Sequence, residues 1–304
     1  MTKERLQGHA CIFAANVIFG VYIPISKYLM AHCVSGEVLT LARMWGAAAL
    51  FWTASLFTRE DRVGRRDLGL MFVFSLFGVV MNQGVFIYGL GKTSPVDASV
   101  IVTMTPLMVL LISAAFMGDP VTVRKAVGVL SGAAGAIWLV LSAGGAGGSA
   151  GTVSGNLLIL LSGFSSAVYF AMSKPLTSRH SPVTLMKWMF LFASLMLLPV
   201  TPSVLSAPGA FKGGFGFEGA AMLAYVIAGA TFLTYMLIAM AIKRMRPTTM
   251  AMYNYIQPFV ASMVAIWLGQ DSFSWVKVAA AALVFAGVYL VTSAPAARAA
   301  VGTR

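Results

Sequence analysis

Residues 8–30 read GHACIFAANVIFGVYIPISKYLM and residues 155–176 read GNLLILLSGFSSAVYFAMSKPL. A shift of 147 lays Gly8 on Gly155, Tyr22 on Tyr169, Ser26 and Lys27 on Ser173 and Lys174, and Leu29 on Leu176. Further along, a shift of 152 lays Pro95 on Pro247, Pro106 on Pro258, Asp119 on Asp271, Lys125 on Lys277 and Gly135 on Gly287. The chain is one unit written twice. Each quoted segment is long and apolar enough to cross a hydrocarbon layer, which takes about 20 residues of helix. The parity of such segments in each copy then decides whether the copies face the same way or opposite ways.

Composition points the same way. The 304 residues are 59% hydrophobic and only 10% charged, against roughly 25% charged in soluble domains. A soluble protein of this make-up lacks the polar surface to cover itself, so the chain reads as an all-α integral membrane protein in contact with the lipid bilayer. The net charge of +12 does not point to nucleic acid, because the basic residues sit in short connections between apolar runs and form no aromatic-interleaved basic face. Cys11 and Cys33 lie near opposite ends of one helix, too far apart to bridge, and no metal-ligand spacing occurs. The first segment follows Lys3 and Arg5 as a signal peptide does, but Met30-Ala31-His32-Cys33 is a poor cleavage site. It therefore reads as a retained helix.

The spacing predicts ten transmembrane helices near 8–30, 36–57, 68–90, 95–117, 123–143, 155–174, 183–200, 219–242, 247–269 and 273–293. Sixteen Lys and Arg residues fall at one set of ends and four at the other, with Arg43 inside a span. The positive-inside rule then places both termini in the cytoplasm, with the chain in the cytoplasmic (inner) membrane. Five spans per copy is odd, so the second copy enters from the opposite side. The expected organisation is a five-helix repeat over 1–143, a Gly-rich linker over 144–153 and a second five-helix repeat over 154–304. Such inverted-topology repeats are common among secondary transporters.

Polar groups inside spans are costly and mark candidate sites. Arg43 anchors a substrate carboxylate, caps backbone carbonyls or snorkels to headgroups. Asn82 and Gln83, in the middle of the third span, bind a zwitterion or make interhelical hydrogen bonds. Tyr253, Asn254 and Gln257 share one face of the ninth span just before Pro258, and Thr103 and Thr105 precede Pro106 in the repeat-related fourth span. Proline-interrupted helices at matching positions in two copies point to a binding site near mid-membrane, or are structural kinks. Tyr22 and Tyr169 are repeat partners in opposite membrane halves, fitting alternating gates or ordinary interfacial aromatics. No Asp, Glu or His falls at mid-span, so a buried-carboxylate proton relay has no seat. An enzyme would need a carboxylate or His cluster, and none is grouped. No cofactor motif occurs. Small-residue rows such as Gly128 and Gly132, or Ala279 and Ala282, serve packing within the chain or a dimer seam. Monomer and homodimer both fit.

Several runs resemble the drug/metabolite transporter superfamily, in particular its ten-helix EamA-type permeases. Asn82-Gln83-Gly84-Val85-Phe86-Ile87-Tyr88-Gly89-Leu90 is similar to that family's third helix, Thr105-Pro106-Leu107 to its fourth, and Gly128 and Gly135 to its fifth. Leu41-Ala42-Arg43 resembles the arginine motif of its second helix, and Tyr255-Ile256-Gln257-Pro258 matches the ninth. The chain departs from the family in having Asp119 and Asp271 where Glu is common, and Phe190 where Arg43 has its repeat counterpart. The resemblance implies a secondary transporter, without enzyme activity, that exports small polar metabolites, amino acids foremost, by alternating access through a central cavity. A nucleotide or other organic-anion or drug carrier of the same superfamily is the alternative. A multiply charged anion is disfavoured, since only Arg43 and Lys187 are candidate cationic ligands.

Overall fold

The computed structural model describes residues 3–58, 61–90, 92, 101, 104–117, 122–143, 153–213, 215–267 and 275–293. Thr103, the connection 144–152, Asp119 and Asp271 lie outside these.

The described chain is helical almost throughout. α1 runs Lys3–His32 and α2 Gly36–Ser55. α3 starts as Arg65–Ser75, widens into a π-helix over Leu76–Val85 and ends as Phe86–Leu90. α4 is Thr105–Met117, α5 Val123–Ala143 and α6 Val153–Met172, followed by a short helix, Lys174–Arg179. α7 is Pro182–Leu197, prolonged through Leu198–Val200 and Thr201–Leu205. α8 repeats the pattern of α3: Phe217–Ala224, a π-helix over Tyr225–Leu233, then Thr234–Arg244. α9 is Pro247–Met252, a 3-10 turn Tyr253–Tyr255, then Ile256–Trp267, and α10 is Trp275–Thr292. Among the described residues the only extended pairing is a single bridge between Val34 and Phe211.

Five segments are long and apolar enough to cross a membrane: Glu4–His32, Arg65–Gly89, Val153–Met172, Pro182–Leu205 and Phe217–Arg244. The protein is a multi-pass membrane protein. Its apolar side chains face outward as well as inward. Leu111, Phe116 and Leu130 are exposed although they sit in apolar helices, because lipid and not water is their solvent.

The helices pair in a definite pattern. α1 lies against α8 and α9, α6 against α3 and α4, α2 against α7, and α5 against α10. Small residues set the closest approaches. A Cβ on Gly287 of α10 would stand 2.6 Å from the Gly132 nitrogen and 2.7 Å from the Gly128 carbonyl oxygen of α5. The Gly128–Gly132 row is thus occupied inside the chain, in close backbone contact without side chains between. Neither Cys11 nor Cys33 is part of a disulfide.

Corner chemistry is repeated at the two ends of the bundle. Ser35 caps α2 by accepting from the Val38 N–H, and Ser181 caps α7 by accepting from the Thr184 N–H. The Ser35 N–H donates to the Ala210 carbonyl at 2.9 Å. The Ser181 N–H donates to Asp61 Oδ2 at 2.5 Å, beside the pair of His180 Nε2 and Asp67 Oδ2 at 2.8 Å. The bond from Ser181 holds the Asp61 carboxyl below the usual carboxylate range. A carboxyl lowered by folding stabilises at pH values above its unfolded pKa, and that contribution disappears as pH falls through its folded value. Asp61→Asn is therefore expected to lower thermal stability by about 1 kcal/mol near neutral pH. The gap to the wild type should close under acid, read by melting in detergent from pH 7 downward. A constant gap would mean that the carboxylate charge is not what stabilises this corner.

Candidate functional site

Four of the polar residues expected inside the spans, Tyr22, Arg43, Asn82 and Gln83, join a polar cluster completed by residues of α6 and α8. Arg43 on α2 is 3% exposed. It neither snorkels nor caps carbonyls. Its Nε donates to Thr231 Oγ1 at 2.8 Å and its Nη1 to the Tyr22 hydroxyl at 2.7 Å. The guanidinium carbon also stands 4.5 Å from the Tyr22 ring centroid. Among the described residues no carboxylate lies within ion-pair distance of it.

The π-helical middles of α3 and α8 build the rest. A π turn contains an extra residue, which shifts side chains around the helix and leaves carbonyls poorly matched to their own N–H groups. Here side chains fill those gaps. Thr231 Oγ1 donates to the Val226 carbonyl and Thr234 Oγ1 to the Gly229 carbonyl, both five residues back. On α3, the Phe77 and Asn82 carbonyls accept from Ser165 and Ser162 of α6 at 2.7 Å each. The Gly78 carbonyl accepts from the Tyr235 hydroxyl at 3.2 Å. Gln83 in turn donates through Nε2 to that same hydroxyl. Since Tyr235 spends its proton on Gly78, it must accept from Gln83, which fixes the orientation of the Gln83 amide. Gln83 Oε1 is then buried without a partner.

Phe19 joins the two clusters, its ring 6.3 Å from that of Tyr22 and 6.5 Å from that of Tyr235. Arg43, Tyr22, Thr231, Tyr235 and Gln83 therefore surround one region. Asn82 belongs to its α6 side, with Nδ2 at 3.5 Å from the Gly78 carbonyl and Oδ1 at 3.5 Å from Ser162.

The α9 residues divide. Gln257 Nε2 donates to Asn16 Oδ1 at 2.7 Å, and the Tyr253 hydroxyl lies 2.7 Å from His9 Nδ1. Both thus tie α9 to α1. Asn254 is half-buried, and its side chain has no protein partner among the described residues. The 3-10 turn Tyr253–Tyr255 separates these three side chains from the single face that regular helical spacing predicts. It lies just before Pro258, which has no N–H for the Asn254 carbonyl. Pro106 is buried at the first turn of described α4, where its missing N–H costs nothing. Thr105, 3% exposed, packs where a Cβ on Gly163 of α6 would meet its Oγ1 at 3.2 Å.

The two repeat-related tyrosines differ in surroundings. Tyr22 is half-buried and bound by Arg43. Tyr169 is 2% exposed, its ring lies against Gly78, and its hydroxyl has no hydrogen-bond partner. Phe190, standing where Arg43 has its counterpart, instead packs edge-on against Tyr235 at 5.0 Å. Thr231 and Tyr235 were not expected from the sequence. Their signal is the run Thr231, Thr234, Tyr235 at helical spacing in an otherwise apolar span.

The sequence model of the EamA-like transporter family matches residues 6–141 and again 153–293. The chain belongs to this family. It is a membrane transporter of the drug/metabolite transporter superfamily and not an enzyme. An uncharacterized transporter of Archaeoglobus fulgidus is 25% identical, over 76% of this chain and 79% of that protein. The uncharacterized transporter YetK of Bacillus subtilis is 22% identical, over 66% and 61%. A WAT1-related, chloroplastic protein of Arabidopsis thaliana is 24% identical, over 72% of this chain and 53% of its own length. A solved crystal structure superposes with a TM-score of 0.78 at 20% identity, covering 94% of this chain and 96% of the other. That likeness is one of fold. For this EamA-family chain, the buried polar cluster is the feature a transporter has to explain.

Proposed function

We propose that the protein exports small polar metabolites, amino acids foremost, by alternating access, with the substrate held among Arg43, Asn82, Gln83 and Asn254. The observation that carries this reading is Arg43, a buried cation with no carboxylate partner among the described residues. Removing a charge from water costs several kcal/mol, so it persists where something else compensates it. A passing solute carboxylate does so.

The scaffold of this proposal is two inverted five-helix repeats of ten spans, residues 1–143 and 154–304 joined by the linker 144–153, with both termini cytoplasmic. It is supported by the two stretches matched by one family model and by the π-helices at corresponding places in α3 and α8. α1, α8 and α9 form one wall and α3, α4 and α6 the other. The half of the bundle nearer the termini is filled by one apolar core that includes Ile12, Phe51, Phe74, Tyr169, Phe190 and Ile242. Lys174 Nζ also crosses there from the end of α6 to the Met245 carbonyl at the end of α8, at 3.1 Å. We read Tyr169, buried in this core, and Tyr22, packed against a second core of Leu29, Val38, Leu39 and Val226, as the two gates. Pro106 and Pro258 mark the hinge-bearing breaks of α4 and α9.

Asn254→Ala tests the site where least structure is at stake, since the amide makes no hydrogen bond to the described residues. It is expected to lower the initial rate of amino-acid counterflow in proteoliposomes by about tenfold, with unchanged melting. Wild-type rates in that variant would remove Asn254 from the site.

A further inference from the structure

We infer that the site selects solutes by net charge, favouring small monocarboxylates whose remaining polar groups are neutral, such as N-acylated amino acids, over free amino acids, and excluding amines. This rests on the proposed transport reading and sharpens its substrate class. Three observations combine. First, of the five N–H donors of Arg43, those used by the fold bind only neutral hydroxyls, on Tyr22 and Thr231. Among the described residues its Nη2 has no hydrogen-bond partner, and it is not among the enclosed polar atoms. One N–H edge of the guanidinium is therefore left over by the fold, the kind of donor pair that a carboxylate takes.

Second, nothing in the cluster compensates a positive charge. The surrounding groups are Tyr22, Thr231, Tyr235, Gln83, Asn82 and Ser162, all neutral. The acidic residues of the chain fall at the ends of its apolar runs. Glu37, in the first turn of α2, is exposed and makes no ion pair with Arg43. A bound monocarboxylate brings the site to zero net charge. A zwitterion leaves one positive charge over, carried by an ammonium with only amide and hydroxyl oxygens around it. A cation doubles the charge already there, and like charges in a desolvated site repel strongly.

Third, the unfilled acceptor has a matching partner. Gln83 Oε1 is buried without a hydrogen bond, and such a group is stabilised by any N–H or O–H donor delivered to it. A neutral amide N–H or hydroxyl meets that need without adding charge. An acylated amino group meets both requirements, one carboxylate for Arg43 and one uncharged donor for Gln83.

The experiment compares three forms of the same amino acid across a panel of side chains: N-acetylated, free and amidated. For uncharged side chains these carry net charges of minus one, zero and plus one. Two measurements are made on the purified full-length protein: thermal stabilisation in detergent, which reads binding, and counterflow in proteoliposomes, which reads transport. For the best side chain, the N-acetyl form is expected to bind at least about tenfold more tightly than the free amino acid, and the amide not at all. Arg43→Met should erase the ranking while the variant still melts cooperatively. Equal or tighter binding of the free or amidated forms overturns the inference, as does the absence of stabilisation by every N-acetyl form, or a ranking that survives in Arg43→Met. If N-acetyl forms bind in this order but none shows counterflow, the charge-selective site stands and the transport reading of it fails. If amidated forms counterflow as well as N-acetyl ones, transport stands and the charge selection fails.

Discussion

Arg43→Met is expected to abolish saturable transport while leaving the protein as stable as the wild type, or more so. The two halves of this expectation come from one fact. Arg43 is buried, its protein partners are neutral, and no carboxylate among the described residues balances it. Replacing a buried charged group with an apolar side chain of similar volume is often neutral or stabilising, because the desolvation cost disappears with the charge. Thr231 keeps its own bond to the Val226 carbonyl, and two neutral hydroxyls, on Thr231 and Tyr22, lose the donor that Arg43 supplied. A substrate carboxylate, in contrast, loses its only charged partner, worth about 3 kcal/mol, or on the order of 100-fold in rate at limiting substrate. Melting curves and initial rates on the same preparation check both halves. A variant that melts much earlier than the wild type would show that Arg43 serves the fold, and its loss of transport would then carry no information about binding.

Gly287→Leu is expected to prevent folding, and Gly287→Ala to cost about 1–3 kcal/mol. The neighbours of a Cβ at this position are backbone atoms of α5, the Gly132 nitrogen at 2.6 Å, the Gly128 oxygen at 2.7 Å and the Gly132 Cα at 2.8 Å. A flexible side chain can swing away from a new methyl group, but backbone cannot, so α10 has to move off α5. The contact is extensive and carries the second hydrophobic cluster, with Val129, Ala133, Tyr255, Val284 and Val291. Moving α10 therefore exposes the side of α9 that holds Tyr255. Gly69→Ala is the matching control. Nothing lies within 4 Å of a Cβ there, and alanine is the better helix former by about 1 kcal/mol, so that variant should be neutral or slightly stabilised. Monodispersity and melting of the three variants decide the matter. A well-folded Gly287→Leu would mean that α10 can move off α5 without loss of the fold.

The candidate site was only partly legible in the chain. Arg43 and Gln83 are conspicuous because polar groups in apolar spans are costly wherever they occur, and that cost can be read from a single position. Tyr235 and Thr231 were hidden, since hydroxyl-bearing residues are common in membrane helices and only their partners reveal a role. The division of Tyr253, Asn254 and Gln257 among different neighbours was hidden too. A 3-10 turn in α9 and π-helices in α3 and α8 rotate side chains away from the positions that regular helical spacing gives.

Hydrophobicity, length and charge placement are properties of individual segments, so the sequence alone determined the helical membrane class, the echo between the two halves and the residues too polar for lipid. Partnership is a property of pairs far apart in the chain. The bonds of Arg43 to Thr231, of Gln83 to Tyr235 and of Gln257 to Asn16 span 188, 152 and 241 positions. Only the packed bundle decided that Arg43 meets hydroxyls and, among the described residues, no carboxylate, that Tyr169 is sealed where Tyr22 is half-buried, and that the glycine rows of α5 and α10 are spent on each other. Side-chain geometry across helices determines such contacts, and no local pattern encodes it.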